Sequence, residues 1–508
     1  MTTRSLALVL HAHLPWVLPT QPTGSCSFEE AWLHEALWES YLPILDVLAR
    51  RDDARALCVL SVSPTLLAML RSPIFPSRFR AYVESMRAEL QGARSGDAAP
   101  AALALEDRLN TSAQAFERFN GDLIKPLRSL AERGVIELGT TAATHAILPN
   151  LLTEAGARAQ LRMGLRYAHQ AFGRPVNFLW LPECAYHPRL APLLGDADVS
   201  STVLDAHAFE LAEPRPRHGV FQPVFPNEPI SIFGRHTALS NAIWSNETGY
   251  PASLDYRDFH RPENTESPFG RAVKLHANTK APYEPARGAR LAREHATDFL
   301  TRANEAVQAS TAARPIATVA FDAELFGHWW WEGPLFLEQL FALAARPDSP
   351  VTLETPSTYL SRDPAVALAQ PAASTWGRGG FLEVWSHPRV SHAHRILQRA
   401  ERTMLEVDAL VRDEPRSETQ RRARILAIRE LFLLQGSDTL FMLRTGQAVP
   451  FAEARLRTLS GRLDTLFAVA MREKEAAGDR EALAGLARDS VLFRELEDDA
   501  FADCFDTF

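Results

Sequence analysis

No stretch of this chain approaches the ~20 consecutive apolar residues that a helix needs to cross a bilayer, so no membrane span is expected. The first apolar run, Leu6 to Leu10, is too short for the core of a signal peptide. Cysteine is scarce. Cys26, Cys58, Cys184 and Cys504 are widely spaced, with no CxxC pair, which suits a reducing compartment better than a disulfide framework. Together these features lead to the expectation of a cytoplasmic protein. There is no long basic run, and the net charge of −8 argues against nucleic acid or an anionic membrane as partner. No internal repeat at a fixed period is visible. What remains is ordinary globular composition, with 46% hydrophobic and 23% charged residues in 508. A chain of that length exceeds one typical domain, and its core needs no metal or disulfide.

Short apolar runs recur, and several end in polar side chains. SLALVLHAH ends in His11 and His13, ALCVLSVSP in Ser61 and Ser63, and VIELGTTAATH carries His145. VNFLWLPE ends in Glu183, STVLDAH in Asp205 and His207, IATVAFDAE in Asp322 and Glu324, and VTLETPS in Glu354 and Thr355. Unbroken apolar runs suit strands buried on both faces, as in parallel sheets. Helix-like stretches at 36–50, 155–172 and 288–308 lie between them. This alternation predicts an α/β fold of βα units, with polar groups at strand C-termini where a barrel builds its site. An insert near 66–134 carries helices around 77–92 and 102–120, whereas 212–285 reads as an irregular loop region. After about 390 the pattern changes. Leu397, Ala400, Met404, Val407 and Val411 form a helical stripe, and 418–434, 452–475 and 480–497 also read as helices. The expected organisation is a catalytic domain over 1–389 and an all-helical C-terminal domain over 390–508.

Glu183 and Asp322 each follow a buried strand, which places two partly desolvated carboxylates at one end of a barrel. Such a pair is the minimal equipment for glycoside chemistry, and a spacing of about 5–5.5 Å gives retention of configuration. Either could instead be a helix cap or an ion-pair partner. His11 and His13 flank one residue of an extended chain and so point to one face. They could ligate a metal, with His145, His207 and an aspartate completing the set, or donate to sugar hydroxyls, or be structural. Of the consecutive Trp329, Trp330 and Trp331, at least one should line a cleft, where sugar rings stack. Trp376 and Trp385 lie in a glycine-rich segment, STWGRGGFLEVW.

HAHLPWV, GTTAATHAILPNL, WLPECAYHP, FDAELFGHWWWEGP and STWGRGGFLEVW, in that order, resemble the motifs of glycoside hydrolase family 57, in particular its 1,4-α-glucan branching enzymes. The resemblance spans nearly the whole chain. It implies an incomplete (β/α)7 barrel with inserted helices, followed by helices. It implies Glu183 as nucleophile and Asp322 as general acid/base. It implies a metal-free enzyme with no cofactor, acting on an α-1,4-glucan. His11, His13 and His145 would line the donor-sugar subsite. Trp32, Tyr250, Trp329, Trp376, Trp385 and Asp438 are further expected substrate-binding positions, with the segment around Tyr250 as a lid. The rival readings are an α-glucan hydrolase or 4-α-glucanotransferase on the same scaffold, a metal-dependent hydrolase using the HxH pair, and a non-catalytic glucan-binding protein.

The sequence also departs from the resemblance. Where similar enzymes carry WLN and a later tryptophan, this chain has His387 and His392, and a usual SDW reads Ser437, Asp438, Thr439. These changes are expected to alter the acceptor side of the cleft.

Overall fold

The computed structural model describes residues 4–22, 24–52, 55–96, 99–259, 277–279, 281–362, 366–412 and 417–506. Among them, seven parallel strands form the centre: β1 (Ser5–Ala12), β2 (Cys58–Val62), β3 (Ile136–Thr140), β4 (Phe178–Leu179), β5 (Ser201–Leu204), β6 (Ser231–Gly234) and β7 (Ile316–Asp322). Their order is β6-β5-β4-β3-β2-β1-β7. The ends meet through a parallel bridge between Arg235 and Thr318, where the His236 N–H donates to the Thr318 carbonyl at 2.7 Å. This single bridge closes the sheet into a (β/α)7 barrel. Alternation along each strand separates its two faces. Ala7, Val9, Val59, Phe178, Trp180, Val203, Phe233 and Ala320 fill the interior, while Leu6, Leu8 and Leu10 pack outward against the helices.

Six of the expected strands form barrel staves, and the seventh differs. VTLETPS contributes only Thr352–Leu353, a short strand beside the start of β1. Glu354 there is buried and accepts from Ser5 Oγ at 2.6 Å, a structural contact. The missing stave is β6, inside the segment read as irregular, and the helix Thr237–Trp244 follows it. The four residues of this strand, Ser231–Gly234, are too few for a periodic signal. The 66–134 insert contains helices Phe75–Gly92, Ala99–Arg118 and Ile124–Glu132.

The helical part begins at Ser391. Helix Ser391–Val411 buries Ala393, Ala400, Met404, Val407 and Val411. Helix Glu418–Gln435 is buried at every position from Ala423 to Gln435, so it is enclosed between the barrel and the outer helices Val449–Met471 and Asp479–Asp489. The last of these stops short of the expected 497. The enclosed helix is pinned to the barrel: Thr144 Oγ1 donates to the Phe432 carbonyl, and Gln160 Nε2 donates to Gln435 Oε1 at 2.8 Å. Gly436 bridges Ala146 and turns the chain into a further helix, Ser437–Thr445, which carries the altered Ser437, Asp438, Thr439 segment. Its first turn thereby lies over the barrel mouth. No helix among the described residues is long and apolar enough to cross a membrane.

Candidate active site

The register of the barrel sets the site. His11 pairs with Asp322 on one side and with Ser61 on the other, so the ends of β1, β2 and β7 reach one height. Glu183 arrives by a different route. Pro182 opens a tight turn after β4 in which Glu183 (φ 61°) and Cys184 (φ 51°) both adopt left-handed backbone conformations. Such non-glycine conformations cost about 1–3 kcal/mol each and gather at functional sites. The turn is held by Cys184 N–H to the Leu181 carbonyl at 2.8 Å and Ala185 N–H to the Pro182 carbonyl at 2.9 Å. Residues 374–376 run antiparallel beside it. Tyr186 and Ser374 exchange hydrogen bonds of 2.9 and 3.0 Å, and the Trp376 N–H donates to the Glu183 carbonyl at 3.0 Å. The Trp376 indole then donates to Glu183 Oε2 at 2.7 Å.

Both carboxyls are pushed up. Burial raises Glu183 to about 8; Asp322 adds to this, and the Trp376 indole opposes it. Asp322 lies well above the usual carboxylate range, through burial and then the charge of Glu324, against the pull of Arg235. Arg235 is itself anchored by Asp205 Oδ2 at 3.2 Å and the Ala320 carbonyl at 3.2 Å. Each member of the pair thus lies beside other carboxylates, Glu183 beside Asp322 and Asp438 and Asp322 beside Glu324, and both hold a proton more firmly than an exposed acid.

Three histidines stack beside the pair. Ring centroids of His13 and His145 are 4.0 Å apart, of His11 and His145 5.1 Å, and Trp180 continues the stack 5.2 Å from His11. Each Nδ1 meets a serine: His11 with Ser61 at 3.2 Å, His13 with Ser63 at 2.9 Å, His145 with Ser437 at 2.8 Å. His13 Nε2 lies 3.2 Å from Asp438 Oδ2. Burial alone would raise Asp438, but His13, helped by His145 and Arg455, outweighs it and brings Asp438 down to about 2. Burial holds His11 and His145 well below the usual imidazole range, and neighbouring histidines add to this. Nε2 of His11 and Nε2 of His145 are buried without a hydrogen-bond partner among the described residues.

These rings are within 14–19° of parallel. Imidazole lone pairs lie in the ring plane, so stacked rings aim them side by side rather than at one ion. His207 is elsewhere, with Nε2 2.7 Å from the Gly380 carbonyl. Among the described residues, ligand-type atoms do converge at Cys26, Glu30 and His34, within 4.8 Å of one another. There the Arg78 guanidinium already grips both Glu30 oxygens and supplies the positive charge a cation would bring.

The expected aromatic positions divide. Trp376 is half-buried beside Glu183, and Trp329 is 38% exposed. Between them stands Trp244, which the sequence reading passed over. It lies 5.6 Å from Trp376 and 5.9 Å from Trp329, so the three indoles form a row leading away from the carboxylates. Its only sequence signal was a tryptophan in the segment read as irregular. Trp385, by contrast, is buried, against the expectation of a cleft position. A Cβ on Gly377 would lie 2.9 Å from its ring, so Trp385 packs beneath the loop that carries Trp376. Tyr250 is also interior, with its hydroxyl donating to Asp298 at 2.8 Å and its ring stacked on His295. It is a core residue rather than part of a lid; residues 260–276 and 280 of the expected lid lie outside the described residues. Trp32 packs edge-on against Phe28 and Phe451, in the seam between the barrel side and the C-terminal helices. His387 caps its own turn by accepting from the Arg389 N–H, His392 meets Glu453 at 3.2 Å, and Thr439 is buried.

Comparison with known proteins places this geometry. Residues 7–370 match the family described as Glycosyl hydrolase family 57, and residues 396–501 match the region described as 1,4-alpha-glucan branching enzyme, C-terminal. The chain is 27% identical over 491 residues to the 1,4-alpha-glucan branching enzyme of Thermococcus kodakarensis, covering 89% of this chain and 71% of that protein. Among solved structures, a GH57-type branching enzyme from Pyrococcus horikoshii superposes with a TM-score of 0.85 at 25% identity, covering 98% of this chain and 96% of that one. The alpha-amylase AmyC of Thermotoga maritima also superposes at 0.85, with 26% identity and 99% of each chain covered. With the family matched across most of its length, the chain belongs to glycosyl hydrolase family 57.

Proposed function

We propose that this protein is a 1,4-α-glucan branching enzyme that works with retention of configuration and needs no metal or cofactor. The observation that carries the reading is the neighbouring pair Glu183 and Asp322, set beside a row of tryptophans in a chain whose residues 396–501 match the C-terminal region of branching enzymes. Asp322 gives its proton to the glycosidic oxygen of an α-1,4 bond as the Glu183 carboxylate attacks the anomeric carbon, forming a glycosyl ester and freeing the reducing-side chain. The Asp322 carboxylate then takes the proton from a 6-hydroxyl of an acceptor glucan. That oxygen attacks the anomeric carbon, the ester bond to Glu183 breaks, and an α-1,6 branch forms. Two inversions at one carbon restore the starting configuration. His11 and His145, neutral and with free Nε2 atoms, are suited to hydrogen-bond donor-sugar hydroxyls, and His13 is held in place by Asp438. If water replaces the acceptor, the same steps give hydrolysis, the activity named for the Thermotoga maritima relative.

The test is incubation with amylose, followed by iodine staining and by chain-length analysis before and after debranching. Branching shifts the stain without a matching rise in reducing ends and yields new short chains on debranching. Glu183→Ala, with the fold intact by circular dichroism, is the control and should abolish both products. Reducing ends that appear with no debranchable product would assign the chain to hydrolysis instead.

A further inference from the structure

Helix Phe28–Ala36 does not run straight into helix Leu42–Ala49. Between them Leu37–Tyr41 form a π-helical turn, in which the Leu42 N–H reaches back to the Leu37 carbonyl. Such turns insert one residue into a helix and concentrate at functional sites. Three consecutive residues of this turn grip the loop that follows Asp322. The Glu39 carboxylate pairs with the His328 ring. Ser40 Oγ accepts from the His328 N–H at 2.9 Å and donates to the Glu324 carbonyl at 3.3 Å. The Tyr41 hydroxyl donates to Glu324 Oε1. The fit leaves no space: at Gly327 (φ 130°), a Cβ would lie 1.8 Å from the Glu39 carbonyl oxygen.

Glu324 is buried, and its Oε1 also accepts from the His13 N–H at 3.1 Å. Both donors are neutral. Among the described residues, no Lys, Arg or His forms an ion pair with Glu324. A buried carboxylate with neutral donors and no counter-charge is costly, and the fold builds a π-helical turn to keep it two residues from Asp322. We propose that Glu324, fixed by Tyr41 and the His13 backbone, is a positioning residue whose negative charge keeps the proton on Asp322 until the leaving oxygen takes it.

This rests on Asp322 being the acid/base. The groups facing Asp322 are Glu183 and Cys184 from the turn after β4, Arg235 after β6, Tyr41 from the π-helical turn, His11 in register on β1, and Glu324 itself. Arg235 favours the ionised form, whereas Glu183 and Glu324 oppose it. Their contributions differ in time. Glu183 loses its charge when it becomes the glycosyl ester, and this loss releases Asp322 to act as a base. Glu324 keeps its charge through both steps and sets the constant part of the proton affinity. Of the coupled pair, Glu324 ionises first, near 7, since Tyr41 and the His13 N–H donate to it. Its influence is therefore confined to the alkaline side of that value.

The experiment compares kcat/KM against pH for wild type, Glu324→Gln and Tyr41→Phe. The substrates are a maltooligosaccharide and an aryl α-maltooligosaccharide whose leaving group needs no proton. With the maltooligosaccharide, Glu324→Gln should move the alkaline limb to lower pH by about one unit, the scale of one neighbouring buried charge. Tyr41→Phe should move it the same way by less. With the aryl substrate both variants should stay within a few-fold of wild type, and on the acid side of about 7 they should converge with it on both substrates. An unmoved alkaline limb, or equal losses on both substrates at every pH, would reduce Glu324 to a loop anchor and overturn the proposal. Asp322→Ala on the same substrates keeps the two readings apart. If it spares the aryl substrate, Asp322 is the acid and the Glu324 result stands on its own; if it does not, the acid/base assignment falls and takes this inference with it.

Discussion

The indole of Trp376 donates a 2.7 Å hydrogen bond to Glu183 Oε2 while its backbone N–H donates to the Glu183 carbonyl at 3.0 Å. One residue thus holds both the side chain and the strained backbone of the nucleophile, and it opposes the burial that raises Glu183 to about 8. The active form needs Glu183 ionised, so activity rises as pH climbs through its pKa. Trp376→Phe keeps a ring but removes the donor. The acid limb of kcat/KM against pH should then move to higher pH, by about one unit for a hydrogen bond to a charged group worth ~1.5 kcal/mol. An acid limb that stays in place would mean that the indole contact does not reach the free enzyme's ionisation.

The stacked histidines give a second test. Their Nδ1 atoms are spent on Ser61, Ser63 and Ser437, and their planes run nearly parallel. The purified enzyme should keep full activity after exhaustive chelation, and elemental analysis should find less than one equivalent of a transition metal. One equivalent of tightly bound zinc, with activity lost on its removal, would restore the metal-dependent reading of the HxH pair.

The two departures on the acceptor side separate in space. Thr439 is buried and lines a small pocket with His13, Trp16, Leu433, Asp438 and Arg455. His392 lies on the outer face of its helix against Glu453, half-exposed. A double change to tryptophan should therefore act through position 439 alone. Thr439→Trp forces a large ring against the His13–Asp438 pair and should change the ratio of branches formed to reducing ends released by several-fold. His392→Trp should leave it within about twofold, as surface changes usually cost under ~0.5 kcal/mol. An equal response from both positions would return His392 to the cleft.

Much of this was legible in the sequence because the catalytic groups sit at the ends of buried strands. A continuous apolar run followed by His, Glu or Asp is a local pattern, and β1, β4 and β7 each carry one. The errors came where local pattern gives no information. β6 is a four-residue stave whose status depends on distant partners in the chain, Ser201–Leu204 alongside it and Thr318 at its end. The burial of Trp385 is decided by a glycine loop folding over it, and that of Tyr250 by the helix carrying Asp298 and His295. Helix Ser437–Thr445 is only nine residues long and follows Gly436 directly after a long helix, so periodicity alone sets no bounds for it.

Trp244 shows what that error concealed, and it provides the last test. It ends the helix that follows β6, so misreading the stave as loop also removed the reason for the tryptophan to face the cleft. The ring is 37% exposed and bridges Trp376, which touches the nucleophile, to Trp329 at the outer end of the row. A glucan chain leaving the catalytic carboxylates along this row would stack on it. Aromatic contacts of this kind contribute ~0.5–1.5 kcal/mol, so losing one weakens a bound chain by up to about tenfold. Trp244→Ala should leave Glu183 and Asp322 able to cleave, because it keeps both carboxyls and the Trp376 indole that donates to Glu183. It should instead lengthen the time the glycosyl ester waits for an acceptor, during which water competes. The expected result with amylose is a fall in debranchable product and a rise in reducing ends, with total bond cleavage reduced by no more than a few-fold. Trp244→Phe, which keeps a stacking face, should recover most of the transfer. If branching and cleavage instead fall together in Trp244→Ala, and Trp244→Phe fails to separate them, the row supports the Trp376 loop and does not hold the acceptor.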